Sequence, residues 1–212
     1  MNKKTIFYVV RHGQAVFNLK RVIGGTLEPN ILTTKGEEQA KILAEKFNNI
    51  KFDEIYSSDL SRAKKTAEII ASTKNLPIQT SELLRERSWG SLQGKTFKDA
   101  QNEYARAFKK ERTVDGEEAL DFTFVRDMES LRSATSRFNK FITNIVQAKQ
   151  GKTILVISHF DIMIGYLVGL GFGTYQNLMN ADFDHAGYYK LVANENTFNV
   201  EKIVGLNIKK AS

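Results

Sequence analysis

Two short apolar runs that each end in a histidine constrain this chain more than any other feature. The first, Thr5-Ile6-Phe7-Tyr8-Val9-Val10, stops at Arg11-His12-Gly13, and the second, Thr153-Ile154-Leu155-Val156-Ile157, stops at Ser158-His159. Both are apolar on both faces, the pattern of inner strands in a parallel sheet covered by helices on either side. Open α/β sheets bind ligands in the crevice beyond the carboxyl ends of their strands. Arg11, His12 and His159 therefore fall where such a sheet places a site. The chain has only three histidines in 212 residues, so the repeated layout points to a shared purpose for these two.

The residues between the two runs alternate in type. Thr33 or Thr34 reads as an N-cap, with Glu37 and Glu38 in the first turn of a helix whose Ala40, Leu43, Ala44 and Phe47 face a core. A strand over 52–57 follows, then Ser58-Asp59 as the cap of a helix over 60–72 that carries Arg62 in its first turn. A short strand at 77–80 precedes an irregular, glycine-containing segment at 83–94 that holds Glu86 and the single tryptophan, Trp89. Helices are predicted over 97–110 and 120–147, the second with Phe124, Met128, Leu131, Phe138, Ile142 and Ile145 on one side. Past the second histidine a short helix at 162–170 and strands at 188–192 and 198–204 close the pattern, one of them antiparallel at an edge. The expected architecture is α/β: a three-layer α/β/α sandwich with a mostly parallel central sheet and a small helical cap.

No Pro/Gly/Ser-rich linker, repeat or low-complexity tract divides the sequence, which predicts a single domain over 1–212 with a cap segment at about 86–120. The absence of cysteine excludes disulfides and thiolate chemistry. Met1-Asn2-Lys3-Lys4 is basic, but the apolar run after it ends at Val10, too short for an export signal. The weakly polar stretch at 162–173 falls short of the roughly 20 residues of a membrane span. These readings favour a soluble cytoplasmic protein. The formal charge of +7 is spread over nearly every segment rather than gathered into a basic stripe with interleaved aromatics, which argues against nucleic acid as a partner.

Two histidines and two arginines at one sheet edge suit a tetrahedral dianion, because a phosphoryl group offers several oxygens to forked donors. No carboxylate lies at ligand spacing from His12 or His159, so no metal is expected. An unprotonated imidazole is a competent nucleophile toward phosphorus. Glu86, in its irregular segment beside an aromatic, could supply the proton that a leaving oxygen needs.

Four clusters carry a family likeness. Arg11-His12-Gly13 with Asn18, then Ser57-Ser58-Asp59-Leu60-Ser61-Arg62-Ala63 with Thr66-Ala67, then Leu84-Arg85-Glu86 with Gly90 and Gly94, then Ser158-His159, together resemble the histidine phosphatase superfamily, the phosphoglycerate-mutase-like group. The resemblance implies that His12 becomes phosphohistidine and that Glu86 is first proton donor and then base. It also implies that Arg11, Asn18, Arg62 and His159 hold the phosphoryl oxygens of a small phosphorylated substrate, with no cofactor. The chain departs from the pattern at Phe160, where glycine is usual, in the loop at 25–32, and at His185, where many phosphatase relatives have asparagine. The segment between Glu86 and His159 is short, and Gly116-Glu117-Glu118 resembles a turn of the phosphatase branch. A phosphomonoester hydrolase is thus the leading expectation. A mutase-type phosphoryl transfer and a non-catalytic phosphate-binding relative are the alternatives, and both the substrate and the oligomeric state stay open.

Overall fold

The computed structural model describes residues 3–208. In chain order the elements are β1 (Thr5–Arg11), α1 (Val16–Lys20), α2 (Thr34–Lys46), β2 (Glu54–Ser57), α3 (Ser61–Ala71) and β3 (Ile78–Thr80). Two short 3-10 turns, Glu82–Leu84 and Gly90–Leu92, lead to α4 (Phe97–Glu103), α5 (Ala105–Glu111) and α6 (Gly116–Asp121). Then come α7 (Leu131–Ala148), β4 (Thr153–Ser158), α8 (Phe160–Gly169), α9 (Tyr175–Met179), β5 (Asp182–Ala193) and β6 (Phe198–Asn207).

The strands form one sheet in the order β3-β2-β4-β1-β5-β6. β3, β2, β4 and β1 pair in parallel, whereas β5 is antiparallel to β1 and β6 to β5. Alternate residues of the inner strands feed opposite cores, as the pleat requires. Phe7, Val9, Ile154 and Val156 pack with Phe138, Ile142 and Ile162 of α7 and α8. Val10, Ile55, Leu155 and Ile157 pack with Leu43 and Phe47 on the α2 side and with Ala63, Ala67 and Ile70 of α3. This is the expected three-layer sandwich. No helix among the described residues is long and apolar enough to cross a membrane.

Four local expectations are corrected. The helix predicted over 120–147 is two elements, because Ser130 caps α7, accepting from Ser133 N–H at 3.2 Å, after an irregular stretch. Phe124 and Met128 serve a separate core with Ile23, Trp89, Leu92 and Ala100, where Phe124 stacks on Trp89 at 5.6 Å and 12°. Their apolar spacing continued the helical period but answered to a different partner. The helix over 97–110 breaks at Tyr104, whose φ of −116° and ψ of 35° end α4 before α5 begins. Asp59 does not cap α3. Its carboxylate holds Arg85 through two hydrogen bonds, and the cap position is Leu60. The strand expected at 188–192 is longer: β5 begins at Asp182, with a bulge between Phe183 and Tyr188 in its pairing with β6.

Thr33 is the N-cap of α2, accepting from Gly36 N–H at 3.0 Å, and it brings Gly36 against the turn that follows β1. A Cβ on Gly36 would lie 2.1 Å from Gln14 O, and one on Gly13 would lie 2.3 Å from Gly36 O. Both obstacles are backbone, so neither can swing aside. Gly36→Ala is expected to lower stability by about 1–3 kcal/mol, the usual range for overpacking. Gly169→Ala, at the end of α8 with nothing within 4 Å of the new methyl, should be neutral or slightly stabilising. Urea unfolding midpoints at constant slope measure both, and an unchanged midpoint for Gly36→Ala would show that the turn can move away from α2.

Candidate active site

The register of β1 on β4 sets Arg11 opposite Ser158, so His12 and His159 leave the sheet side by side. His12 N–H donates to Ser158 O at 3.1 Å, and the two rings lie 5.0 Å apart at 60°. His12 Nδ1 is 2.7 Å from Gly13 O. A carbonyl can only accept, which assigns the ring proton to Nδ1 and leaves the lone pair on Nε2. Arg62 Nε independently requires the same tautomer, since it donates to that Nε2 at 3.2 Å. Burial, with the charges of Arg62 and Arg11, holds the His12 pKa well below the ordinary histidine value. Burial, Arg62 and His12 do the same to His159.

Arg62 sits in the first turn of α3, where Leu60 offers no side-chain cap. Glu28, reaching over from the loop after α1, fills that role by accepting from Ser61 N–H at 3.0 Å and from Ser61 Oγ–H at 2.5 Å. The same carboxylate lies 3.5 Å from Arg62 Nη1, and Arg62 Nη2 donates to Gly25 O at 2.7 Å. A lone glutamate in a loop gives no local signal of this, and the sequence reading missed it.

Arg11 turns its fork away from His12. Nη1 donates to Phe183 O and Nη2 to His185 Nε2 at 3.2 Å, with the guanidinium 5.0 Å above the Phe160 ring. Burial lowers its pKa to about 10 and, with Arg11 beside it, that of His185 to about 3. The bulge in β5 aims His185 at Arg11, with Ala186 at a φ of 60° directly after it. His185 is thus a partner of the site that the sequence marked only as an unusual residue. Phe160, the other departure, is the face on which Arg11 rests.

Glu86 is 8% exposed and stands at the start of α8. Its carboxyl accepts from Arg87 N–H at 3.0 Å, Asp161 N–H at 3.2 Å and Ile162 N–H at 3.3 Å. These donors favour the carboxylate, yet burial and the neighbouring Asp161 outweigh them and push its pKa up to about 7. Asp161 is fixed in turn by Arg87 Nε at 2.7 Å and Trp89 Nε1 at 3.0 Å.

Of the residues expected at the site, Arg11, His12, Asn18, Arg62 and Glu86 line one cavity of about 170 Å³. His159 is fully buried and adjoins it through the His12 ring. Asn18 commits its Oδ1 to Ala15 N–H at 3.0 Å. Among the described residues, six buried side-chain nitrogens and oxygens lack a hydrogen-bond partner. Four of them belong to this site: Arg11 Nε, Arg62 Nη1 and both nitrogens of His159. Unmet buried polar atoms of this kind are costly, and an anion bearing several oxygens can accept from the donors among them, the two arginine N–H groups and the one N–H of the neutral His159 ring. Among the described residues no three His, Asp or Glu side chains converge as metal ligands.

Comparison with known proteins agrees with this geometry. The family model of the histidine phosphatase superfamily (branch 1) matches residues 7–205. A probable phosphatase of Schizosaccharomyces pombe is 32% identical over 154 residues, which cover 71% of this chain and 51% of that protein. The match thus spans about half of the yeast relative's length. A probable phosphoglycerate mutase GpmB of Citrobacter koseri is 34% identical over 164 residues, covering 76% of this chain and 72% of that one. The crystal structure of a phosphoglycerate mutase from Bacillus anthracis superposes with a TM-score of 0.84 at 21% identity, covering 96% of this chain and 94% of that one.

The buried imidazoles make stability depend on pH. Below the unfolded value of about 6.5 the unfolded chain takes up protons that folded His12, His159 and His185 refuse, so each destabilises the fold by up to ~1.4 kcal/mol per pH unit. Glu86 acts with opposite sign between about 4.5 and 7, because the folded protein holds its proton more tightly, and offsets one histidine. Urea midpoints should therefore fall from pH 6.5 to 5, and saturating inorganic phosphate should shallow that fall by letting the site imidazoles protonate. A midpoint independent of pH over this interval would show that the histidines titrate freely in the fold.

Proposed function

This chain belongs to the histidine phosphatase superfamily (branch 1), and on that premise we propose that it is a phosphomonoesterase acting through a phosphohistidine at His12. The observation that carries the reading is the His12 tautomer. Its proton is committed to Gly13 O, so Nε2 carries the lone pair, which accepts from Arg62 Nε and becomes the nucleophile once that guanidinium turns to the phosphoryl oxygens. A depressed pKa keeps that lone pair unprotonated at neutral pH.

In the first step Nε2 attacks phosphorus, a P–N bond forms and the P–O ester bond breaks. The departing oxygen takes the proton from the Glu86 carboxyl, whose pKa of about 7 leaves a protonated fraction near neutrality. Arg62 Nη1, Arg11 Nε and the His159 ring, which make no hydrogen bond among the described residues, bind the phosphoryl oxygens as charge redistributes in the transition state. For the Arg11 fork to join them it must exchange His185 or Phe183 O for the ligand. In the second step a water molecule attacks phosphorus and gives its proton to the Glu86 carboxylate. The P–N bond breaks, and neutral His12 and inorganic phosphate are released.

His12→Ala is expected to remove nearly all hydrolysis, since a methyl group cannot form the intermediate. Rapid acid-free quenching of the wild type should trap a base-stable, acid-labile phosphoenzyme with the phosphoryl group on Nε2 of His12. Label found on a serine or an aspartate would overturn the mechanism.

Glu86→Gln separates proton transfer from shape. Single-turnover phosphorylation by an alkyl phosphate, whose alkoxide leaves poorly, should slow by about two to four orders of magnitude. The loss with p-nitrophenyl phosphate should be distinctly smaller. In wild type kcat/KM for the alkyl ester should decline as pH rises through about 7, where Glu86 loses its proton, and this limb should vanish in the variant. Equal losses on both esters would assign Glu86 a merely structural part.

A further inference from the structure

Beyond the phosphoryl end the cavity changes character. Its two cations, Arg11 and Arg62, both stand at His12, and no lysine lines the remainder. The outer wall is Phe17, Val22, Ile23, Trp89, Phe97 and Phe160. Two carboxyl groups, those of Glu86 and Asp161, face the same space. A second carboxylate or phosphate on an entering alcohol would lose its water and find no unpaired cation among the cavity-lining side chains to replace it, only Asp161, already paired with Arg87, and Glu86.

The apolar wall is held in place rather than loosely packed. The Trp89 indole is gripped by its hydrogen bond to Asp161 at 3.0 Å, by Arg87 at 4.7 Å from its ring, and by stacked Phe124. Phe97 meets Trp89 edge-on at 6.1 Å and yet is 43% exposed, an aromatic ring left uncovered at a cavity wall. Asn30 provides one neutral polar contact. It is 2% exposed and spends its Oδ1 on Phe17 N–H at 3.0 Å, while its Nδ2 makes no hydrogen bond among the described residues.

We propose that the alcohol released from the substrate is uncharged and presents a ring-sized apolar face to Trp89 and Phe97, with one hydrogen-bond acceptor within reach of Asn30. This rests on the phosphomonoesterase reading and narrows it, because phosphoglycerates and bisphosphates, the substrates a mutase needs, lack a counter-charge in the outer cavity.

The test compares kcat/KM for phenyl, 2-naphthyl and 3-carboxyphenyl phosphate, whose leaving groups are similar enough in acidity that intrinsic reactivity nearly cancels, together with 3-phosphoglycerate. The naphthyl ester should exceed the phenyl ester by about tenfold, the carboxyphenyl ester should fall at least tenfold below it, and 3-phosphoglycerate should be the poorest. In Phe97→Arg the carboxyphenyl-to-phenyl ratio should rise about tenfold and the naphthyl advantage should shrink, with phosphorylation of His12 by acetyl phosphate, which carries no ring, confirming a working site. Preference for the carboxylated esters, or a Phe97→Arg protein with unchanged ratios, overturns this proposal and leaves the phosphatase reading standing. Failure of every ester to phosphorylate His12 overturns both.

Discussion

The parallel pairing of β1 with β4 is the constraint on which the site depends. It converts two distant histidines into neighbours 5.0 Å apart without a contact being chosen for them individually. A slip of register by one residue would exchange the side chains that meet the α7–α8 core with those that meet the α2–α3 core and send the two imidazoles to opposite sides of the sheet. The cores on either face therefore hold the chemistry in register. Removing Val9 or Val156 from water and keeping His12 beside His159 are the same structural event.

Electrostatics then works against the fold at the point where the strands end. Arginines and imidazoles are withdrawn from water with too few acceptors, and among the described residues Glu28 is the only carboxylate in ion-pair contact with Arg62. The fold tolerates this by leaving the histidines neutral and Glu86 partly protonated, so few full charges are actually buried unpaired. What is left is a set of unmet donors, which on the proposed reading receive a dianion. The arrangement is prepared before ligand arrives, which is how preorganised sites avoid reorganisation during the reaction.

Much of this was legible in the sequence where residues act through their own strand or helix. His12 and His159 end apolar runs, and Arg62 follows a strand by one short turn, so topology alone locates them. Thr33 capped its helix as its spacing required. The illegible parts are those in which a side chain answers to a distant segment. Glu28 caps a helix that begins at Ser61, Asp59 abandons the cap for Arg85, and Phe124 and Met128 keep helical spacing while packing on Trp89. His185 reaches Arg11 only because β5 bulges, and a bulge leaves no periodic trace. Local pattern encodes direction along an element, whereas these contacts are set by where two elements meet.

The strand order carries a consequence for how the protein is made. β1 leaves the ribosome well before either of its neighbours, β4 and β5, which begin at Thr153 and Asp182. At synthesis rates of roughly 5–20 residues per second the central strand waits on the order of 10 s with both hydrogen-bonding edges bare. During that interval Phe7, Val9 and Val10 form an adhesive β-segment with no native partner yet in existence. The strand that anchors the finished enzyme is thus also the segment of the nascent chain in greatest need of shelter, and the basic Lys3-Lys4 pair just ahead of it provides like-charge repulsion between neighbouring unfinished chains.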